Sequence, residues 1–205
     1  MIKAVVFDLD ETLINSKDSL IKYFKLLYEH LGLPYPIEKQ ELLYTAPEKG
    51  FLETLFGDES TLHKARDFRD SFSVEDHIAV ITLKDHAREV IEQFYGKYRM
   101  AVATNRGETT NRVVEHFNLT KYFEMVVSSR TLQHPKPHPI VLETLMAKLE
   151  SDTSNTVMVG DSSVDVATAD SVGVPSIIVG EYARKGLGDY QLESLAGLPE
   201  LLKSL

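Results

Sequence analysis

The sequence Ile2-Lys3-Ala4-Val5-Val6-Phe7-Asp8-Leu9-Asp10 joins a short apolar run, rich in β-branched residues, directly to two carboxylates. A run of this length that ends so abruptly is typical of a strand that is buried on both faces, as in parallel sheets. Asp8 and Asp10 are two positions apart, so their side chains lie on the same side of an extended chain. The segment therefore predicts a buried strand with two acidic groups at its C-terminal end.

Four further runs have the same form, each apolar and each ending in a polar or small cluster. They are Met100–Ala103, Met125–Val127, Thr156–Val159 and Ser176–Val179. Segments with helical apolar spacing lie between the runs. These are Asp85–Tyr98, Glu108–Phe117, Pro139–Leu149 and Ser163–Val172. Strands that alternate with helices predict an α/β fold with a doubly wound parallel sheet and right-handed crossovers.

The alternation stops between about Ser16 and Thr82, where there are helical patterns but no convincing strand. The patterns cover Ser19–Leu31, Glu38–Tyr44, Gly50–Phe56 and Leu62–Phe72. A connection of this length is unusual between two strands of one sheet. We therefore predict two domains: a Rossmann-like core made of residues 1–15 and 83–205, and a small helical domain made of residues 16–82.

The composition excludes several classes of protein. The 205 residues contain no cysteine and carry a formal net charge of −9. A cysteine nucleophile, a disulfide scaffold and a Cys-type zinc site are therefore excluded, and binding to nucleic acid or to an anionic membrane is disfavoured. The first apolar run is cut off by Asp8 before it reaches signal-peptide length, and no segment approaches the roughly 18 apolar residues of a membrane span. We expect a cytoplasmic protein.

In open parallel sheets, ligands bind beyond the carboxyl ends of the strands. That rule brings together polar residues that follow several predicted strands, with a lysine from the loop before Pro139. They are Asp8, Asp10, Thr104, Asn105, Asp161 and Lys136. Carboxylates that converge at one point need a cation, and hard oxygen ligands in a partly open site suit Mg²⁺. We therefore expect a magnesium site at this edge of the sheet.

The same set of residues indicates a reaction. A lysine, a threonine hydroxyl and backbone amides are suited to binding phosphoryl oxygens. A carboxylate can attack phosphorus to form an aspartyl-phosphate, and a second carboxylate can handle the proton. The pattern predicts Mg²⁺-dependent phosphoryl transfer.

Four segments, in this order along the chain, resemble the motifs of the haloacid dehalogenase (HAD) superfamily. They are Asp8–Leu13, Thr104–Arg106, Lys136–Pro139 and Gly160–Asp165. The similarity is closest to the phosphoglycolate phosphatase-like and β-phosphoglucomutase-like subgroup, and it spans nearly the whole chain. It implies a catalytic core with a helical cap domain, and residues 16–82 match the position of that cap.

The resemblance also implies a role for each matching residue. Asp8 is expected to be the nucleophile, and Asp10 the general acid and then the base. Mg²⁺ would be bound by the Asp8 carboxylate, the Asp10 backbone carbonyl and Asp161. Asp165 would support metal-bound water or Lys136.

For the phosphate, the resemblance implies that Thr104 and Asn105 hold its oxygens and that Lys136 neutralises both the phosphate and the nucleophile. Arg106, which follows this pair, either contacts the substrate or is a surface arginine at a helix start. Lys49 is a further candidate for substrate binding. It lies in Thr45–Gly50, which corresponds to a substrate-specificity loop in related proteins but also fits a solvated turn.

Asp10 distinguishes between branches of the superfamily, because dehalogenases and phosphonate hydrolases lack this second acid. The resemblance therefore implies an enzyme that hydrolyses a small phosphorylated metabolite, with phosphoglycolate-like and sugar-phosphate-like monoesters as candidates. A phosphomutase, a pyrophosphatase, a nucleotidase and a non-enzymatic phospho-acceptor module are the alternatives. A monomer and a homodimer are both compatible with the sequence. Glu11 departs from the commonest form of the first motif, which has glycine there.

Overall fold

The computed structural model describes residues 1–40, 51–128, 131–132 and 134–205. The chain forms two compact units, one made of Met1–Asn15 with Leu83–Leu205 and the other of Ser16–Thr82. The predicted loop Thr45–Gly50, which contains Lys49, lies outside the described residues, as does most of the predicted helix Glu38–Tyr44.

Eight strands are present in the described part of the chain. They are β1 (Ala4–Phe7), β2 (Ile14–Asn15), β3 (Thr82–Leu83), β4 (Arg99–Ala103), β5 (Met125–Val127), β6 (Thr156–Gly160), β7 (Ser176–Val179) and β8 (Tyr190–Leu192). Six of them form one parallel sheet in the order β5-β4-β1-β6-β7-β8, while β2 and β3 form a separate two-stranded sheet. The predicted doubly wound parallel α/β architecture is confirmed.

Nine α-helices are present in the same described residues. They are α1 (Ser16–His30), α2 (Phe51–Leu55), α3 (Glu59–Ser71), α4 (Val74–Ala79), α5 (Ala87–Phe94), α6 (Thr110–His116), α7 (Ile140–Lys148), α8 (Ser163–Asp170) and α9 (Leu198–Ser204). Short 3₁₀ turns occur at Ile37–Lys39, Thr120–Tyr122, Ala183–Lys185 and Leu195–Gly197. None of the described helices is long and apolar enough to cross a membrane.

The sheet places the ends of its central strands side by side. Strand β1 is buried along its whole length and pairs in parallel with both β4 and β6. Phe7, its last residue, is level with Val102 on one side and with Val159 on the other. Asp8 therefore leaves β1 between the segments that follow β4 and β6.

The unit Ser16–Thr82 has a separate core, made of aromatic and aliphatic side chains. Its buried members are Tyr23, Phe24, Leu27, Tyr28, Leu52, Leu55, Phe56, Leu62 and Ala65. The Tyr23 ring makes edge contacts with the rings of Phe24 and Phe72, each at a centroid distance of 5.0 Å. Edge-to-face contacts of this kind stabilise the helices in addition to the burial of apolar surface.

The structure differs from the sequence-based expectations at particular elements. Strand β8 was not predicted, because Tyr190-Gln191-Leu192 is a three-residue edge strand with neither a β-branched run nor full burial. Helix α5 is shorter than the predicted Asp85–Tyr98. His86, which precedes it, adopts a left-handed conformation at φ 64°, and the helix gives way to a turn at Tyr95.

Helix α4 was also missed, although the sequence holds a signal for it. Ser73 and Asp76 form a capping box: the Ser73 Oγ accepts a hydrogen bond from the Asp76 backbone N–H, and the Asp76 carboxylate accepts one from the Ser73 N–H. A serine followed three residues later by an acidic residue is the usual pattern for such a box. Its helix of six residues is too short to show a clear apolar period.

A close approach at the end of β6 explains why glycine stands at position 160. A Cβ atom at Gly160 would lie well inside van der Waals distance of the Asp165 side chain. The Asp165 side chain is almost completely buried and has hydrogen bonds on both of its oxygens, so it has no room to move away. Gly160 therefore allows the first turn of α8 to fold back over the end of β6.

We predict that Gly160→Ala lowers the free energy of unfolding by about 1–3 kcal/mol, the usual range for overpacking a core. The measurement is urea unfolding of both proteins. Gly57→Ala is the matched control, because no atom lies within 4 Å of a Cβ built there and Gly57 is not in the left-handed region. Equal stability of the two alanine variants would contradict the prediction.

Candidate active site

A buried ion-pair cluster lies at the carboxyl end of β1. The Lys136 Nζ is 2.6 Å from Asp8 Oδ1 and 2.7 Å from Asp165 Oδ1. Asp8, Lys136 and Asp165 have 4%, 6% and 0% of their surface exposed, respectively. One ammonium is therefore shared by two carboxylates, largely out of contact with water.

The electrostatics of this cluster are set by burial and by its unequal charges. Burial raises the pKa of Asp8 to about 8; the ammonium of Lys136 opposes that shift and the charge of Asp165 adds to it. Burial also disfavours the charge on Lys136, but the two carboxylates outweigh this and hold the Lys136 pKa above its ordinary value. An additional positive charge beside Asp8 would favour its ionised, nucleophilic form.

Asp165 is held from both sides. Its Oδ2 accepts hydrogen bonds from the backbone N–H of Asp161 at 3.2 Å, from that of Ser162 at 3.1 Å and from the Ser162 hydroxyl at 2.6 Å. Its Oδ1 accepts the bond from Lys136. Because both oxygens are engaged by the protein, Asp165 is better suited to orienting Lys136 than to binding a metal directly.

A set of three acidic residues that fits a divalent cation overlaps this cluster. Oxygen atoms of Asp8, Asp161 and Asp165 lie within 4.8 Å of one another, and Asp161 is only half-buried. With Asp165 committed to Lys136, the fitting donors are the Asp8 and Asp161 carboxylates. Carboxylate oxygens with one accessible side suit a hard cation that keeps some of its water.

Asn105 contacts the backbone of Lys136 through both ends of its carboxamide. Its Oδ1 accepts a hydrogen bond from the Lys136 N–H at 2.8 Å, and its Nδ2 donates to the Lys136 carbonyl at 3.0 Å. The side chain that the sequence analysis assigned to the phosphate therefore fixes the loop that carries the lysine. Thr104 is 3% exposed, and its hydroxyl accepts a hydrogen bond from the Arg106 N–H at 3.1 Å.

Arg106 lies against Asp10. The Arg106 Nη2 donates to Asp10 Oδ1 at 2.7 Å, and its Nε is 3.2 and 3.1 Å from the two carboxylate oxygens. From the sequence, Arg106 is either a substrate contact or a surface residue at a helix start. The structure gives it an ion pair with the second acidic residue of the first motif.

Glu11 adopts a left-handed conformation at φ 61°, where glycine is favoured for steric reasons. Its carboxylate is 2.9 Å from the ammonium of Lys84. The extra negative charge in the first motif therefore has a cationic partner within the same unit. Lys84 was not singled out in the sequence, because no spacing rule connects two residues that lie in different loops.

Other residues that form hydrogen bonds at the site were also not predicted from the sequence. The Ser162 hydroxyl donates to Asp165, and the Thr109 hydroxyl accepts a hydrogen bond from Arg106 Nη1 at 2.9 Å. The Thr12 hydroxyl is 3.5 Å from Asp8 Oδ2, the outer limit of a hydrogen bond. For Ser162, the capping-box spacing of Ser162 and Asp165 is a signal that could have found it.

Comparison with known proteins places this site in a family. Residues 5–179 match the family model described as haloacid dehalogenase-like hydrolase. A putative pyrophosphatase PpaX from Caldanaerobacter subterraneus subsp. tengcongensis is 30% identical, with 98% of this chain and 95% of that protein covered. A phosphoglycolate phosphatase from Vibrio parahaemolyticus is 27% identical, with 98% and 96% covered.

A solved structure shows the same fold. The crystal structure of a HAD-superfamily hydrolase, subfamily IA, variant 1, from Geobacter sulfurreducens superposes with a TM-score of 0.88 at 24% identity. The similarity covers 98% of this chain and 96% of that one. Because the family model matches most of the length of this chain, the chain belongs to the haloacid dehalogenase-like hydrolase family.

Proposed function

We propose that this enzyme is a Mg²⁺-dependent phosphatase that hydrolyses a small phosphomonoester through an aspartyl-phosphate on Asp8. The observation that carries the proposal is the buried contact of 2.6 Å between Asp8 and Lys136, with Asp161 beside it. A carboxylate in this position has the Lys136 ammonium to balance charge as it reacts, and a second carboxylate close by with which it could bind a metal ion. Membership of a hydrolase family favours an enzyme over a phospho-acceptor module.

The reaction follows from the groups present. An Asp8 oxygen attacks phosphorus, the bond from phosphorus to the leaving oxygen breaks, and Asp10 gives its proton to that oxygen. Water then attacks the phosphorus of the aspartyl-phosphate, Asp10 takes a proton from the water, and the bond to Asp8 breaks to release phosphate. Lys136 neutralises the phosphoryl oxygens in both steps.

The proposed ligands of Mg²⁺ are the Asp8 and Asp161 carboxylates and the backbone carbonyl of Asp10. When bound, the cation would supply positive charge for the phosphoryl oxygens and for the developing charge on the leaving group. Asp165 holds Lys136 in position beside these ligands. The other two acidic groups of the first motif, Asp10 and Glu11, are each paired with a basic side chain.

We further propose that residues 16–82 act as the cap that selects the organic part of the substrate. Thr104, Lys136 and the backbone amide of Asn105 would then recognise only the phosphoryl group. A protein with a formal net charge of −9 repels polyanions, whereas a small phosphate meets the local positive charge of Lys136 and a bound cation.

Inorganic pyrophosphate is a second candidate substrate. The observation in its favour is the 30% identity to a protein named putative pyrophosphatase PpaX over nearly the whole chain. Attack by Asp8 on one phosphorus atom of pyrophosphate uses the same residues and releases phosphate as the leaving group. Comparing phosphate release from pyrophosphate and from a panel of phosphorylated metabolites separates the two functions.

We predict that Asp8→Asn lowers kcat for 4-nitrophenyl phosphate in the presence of Mg²⁺ by at least about a thousandfold, because the amide is a far poorer nucleophile. Asp170→Asn is the control, since Asp170 is an exposed aspartate at the end of α8. Steady-state kinetics provide the measurement. If Asp8→Asn and wild type release phosphate at the same rate, Asp8 is not the nucleophile.

We also predict that Mg²⁺ stabilises the wild-type protein against thermal unfolding. At 100 times its dissociation constant, a ligand that binds only the folded state contributes about 2.7 kcal/mol. Asp161→Asn removes a proposed ligand, so its melting temperature should respond much less to the cation. The measurement is a melting curve at increasing MgCl₂, reversed with EDTA, and an equal shift in both proteins would exclude Asp161 as a ligand.

A further inference from the structure

We infer that Arg106 is a positioning residue, which holds the Asp10 carboxylate in the orientation needed for proton transfer and does not bind the substrate phosphate. The inference rests on the proposed function, because it assigns Arg106 a part in the proton transfers of Asp10. It goes beyond the sequence motifs, which give Arg106 no defined role.

The geometry of the pair is that of a fork on a carboxylate. Arg106 Nη2 is 2.7 Å from Asp10 Oδ1, and Nε lies 3.2 Å from Oδ1 and 3.1 Å from Oδ2. The side chains are 19% and 32% exposed. Contact through two nitrogens fixes the plane of the carboxylate as well as its distance, which a single ammonium contact does not do.

Arg106 is itself anchored by the segment that follows β4. Its backbone N–H donates to the Thr104 hydroxyl at 3.1 Å, and its carbonyl accepts a bond from the Thr110 hydroxyl, also at 3.1 Å. Its third nitrogen, Nη1, donates to the Thr109 hydroxyl at 2.9 Å. All three nitrogens of the guanidinium thus have a protein partner. The contact with Thr109 and the two backbone contacts direct the group at Asp10.

Asp10 needs a partner that fixes its orientation. It lies just beyond the end of β1, and about a third of its side chain is exposed, so packing alone does not restrict its rotamers as burial restricts those of Asp8. Proton transfer requires the donor and acceptor oxygens to be held within hydrogen-bond distance. A carboxylate that samples several rotamers spends only part of the time in that arrangement.

The two possible roles of Arg106 differ in how they depend on the leaving group. In the first step, a proton passes from Asp10 to the leaving oxygen as its bond to phosphorus breaks. A leaving group that departs as a stable anion needs this proton little, whereas a more basic one depends on it. An arginine that bound the phosphate would affect both kinds of substrate equally.

The test uses 4-nitrophenyl phosphate and phenyl phosphate, which are similar in shape but differ in leaving group. Phenol has a pKa of about 10, like that of tyrosine, and 4-nitrophenol is much more acidic. For Arg106→Ala we expect kcat/KM to fall at least about tenfold more for phenyl phosphate than for 4-nitrophenyl phosphate, within the range of general acid catalysis. Inhibition by inorganic phosphate should be nearly unchanged.

Two further variants support the comparison. Arg106→Lys keeps the charge but loses the fork, so it should show the same substrate dependence with a smaller fall. Arg99→Ala removes an arginine at the other end of the same strand β4, where Nε and Nη2 contact Glu124 at 2.7 and 2.5 Å. This control should leave the ratio of the two substrates at its wild-type value.

The outcomes separate this inference from the proposed function. An equal fall in kcat/KM for both substrates together with weaker inhibition by phosphate would make Arg106 a phosphate ligand and overturn the inference. Unchanged kcat/KM for both substrates would overturn it as well. Failure of the wild type to release phosphate from either substrate would instead count against the phosphatase proposal itself.

Discussion

The structure of the site depends on one buried ammonium group that is shared by two carboxylates. Lys136 contacts Asp8 and Asp165 at 2.6 and 2.7 Å, and all three side chains are almost completely buried. Removal of charged groups from water is costly unless each is paired and hydrogen-bonded. The surrounding residues meet this requirement: Asn105 fixes the backbone of Lys136, and Asp161 and Ser162, just before α8, donate three hydrogen bonds to Asp165.

The need to pair these buried charges also constrains the fold. Asp8 and Lys136 are 128 residues apart in the sequence. They meet at the carboxyl edge of the parallel sheet, where Asn105, which follows the neighbouring strand β4, holds the backbone of Lys136. Gly160 at the end of β6 permits the approach of Asp165, and a side chain there would displace one of the two carboxylates that hold the lysine. The same carboxylate caps the first turn of α8. A defect in this turn would therefore affect both the stability of the helix and the position of Lys136.

The sequence predicted the parts of the structure that depend on local patterns. The strands β1, β4, β5, β6 and β7 were found within two residues of their ends, because each is a buried apolar run that stops at a polar cluster. The strand ends in turn predicted which residues meet. The sequence did not predict which partner each side chain contacts. Asn105 contacts the Lys136 backbone, and Arg106 contacts Asp10. These contacts join separate loops, and no period or spacing in the sequence encodes them. Strand β8 was missed for a different reason, since an edge strand of three residues lacks the apolar run.

The pairing of charges around the site explains how an acidic protein can favour a small anion. Among the described side chains of the four motif segments and Lys84, five carboxylates (Asp8, Asp10, Glu11, Asp161 and Asp165) stand against three basic groups (Lys84, Lys136 and Arg106). The excess within this set is two negative charges. A divalent cation bound by the proposed ligands Asp8 and Asp161 would offset it. It would favour the ionised form of Asp8, whose pKa burial raises to about 8, and it would leave Lys136 available to attract the phosphoryl oxygens. Cation binding and substrate binding should therefore be coupled through Asp8, which contacts Lys136 and is also a proposed metal ligand.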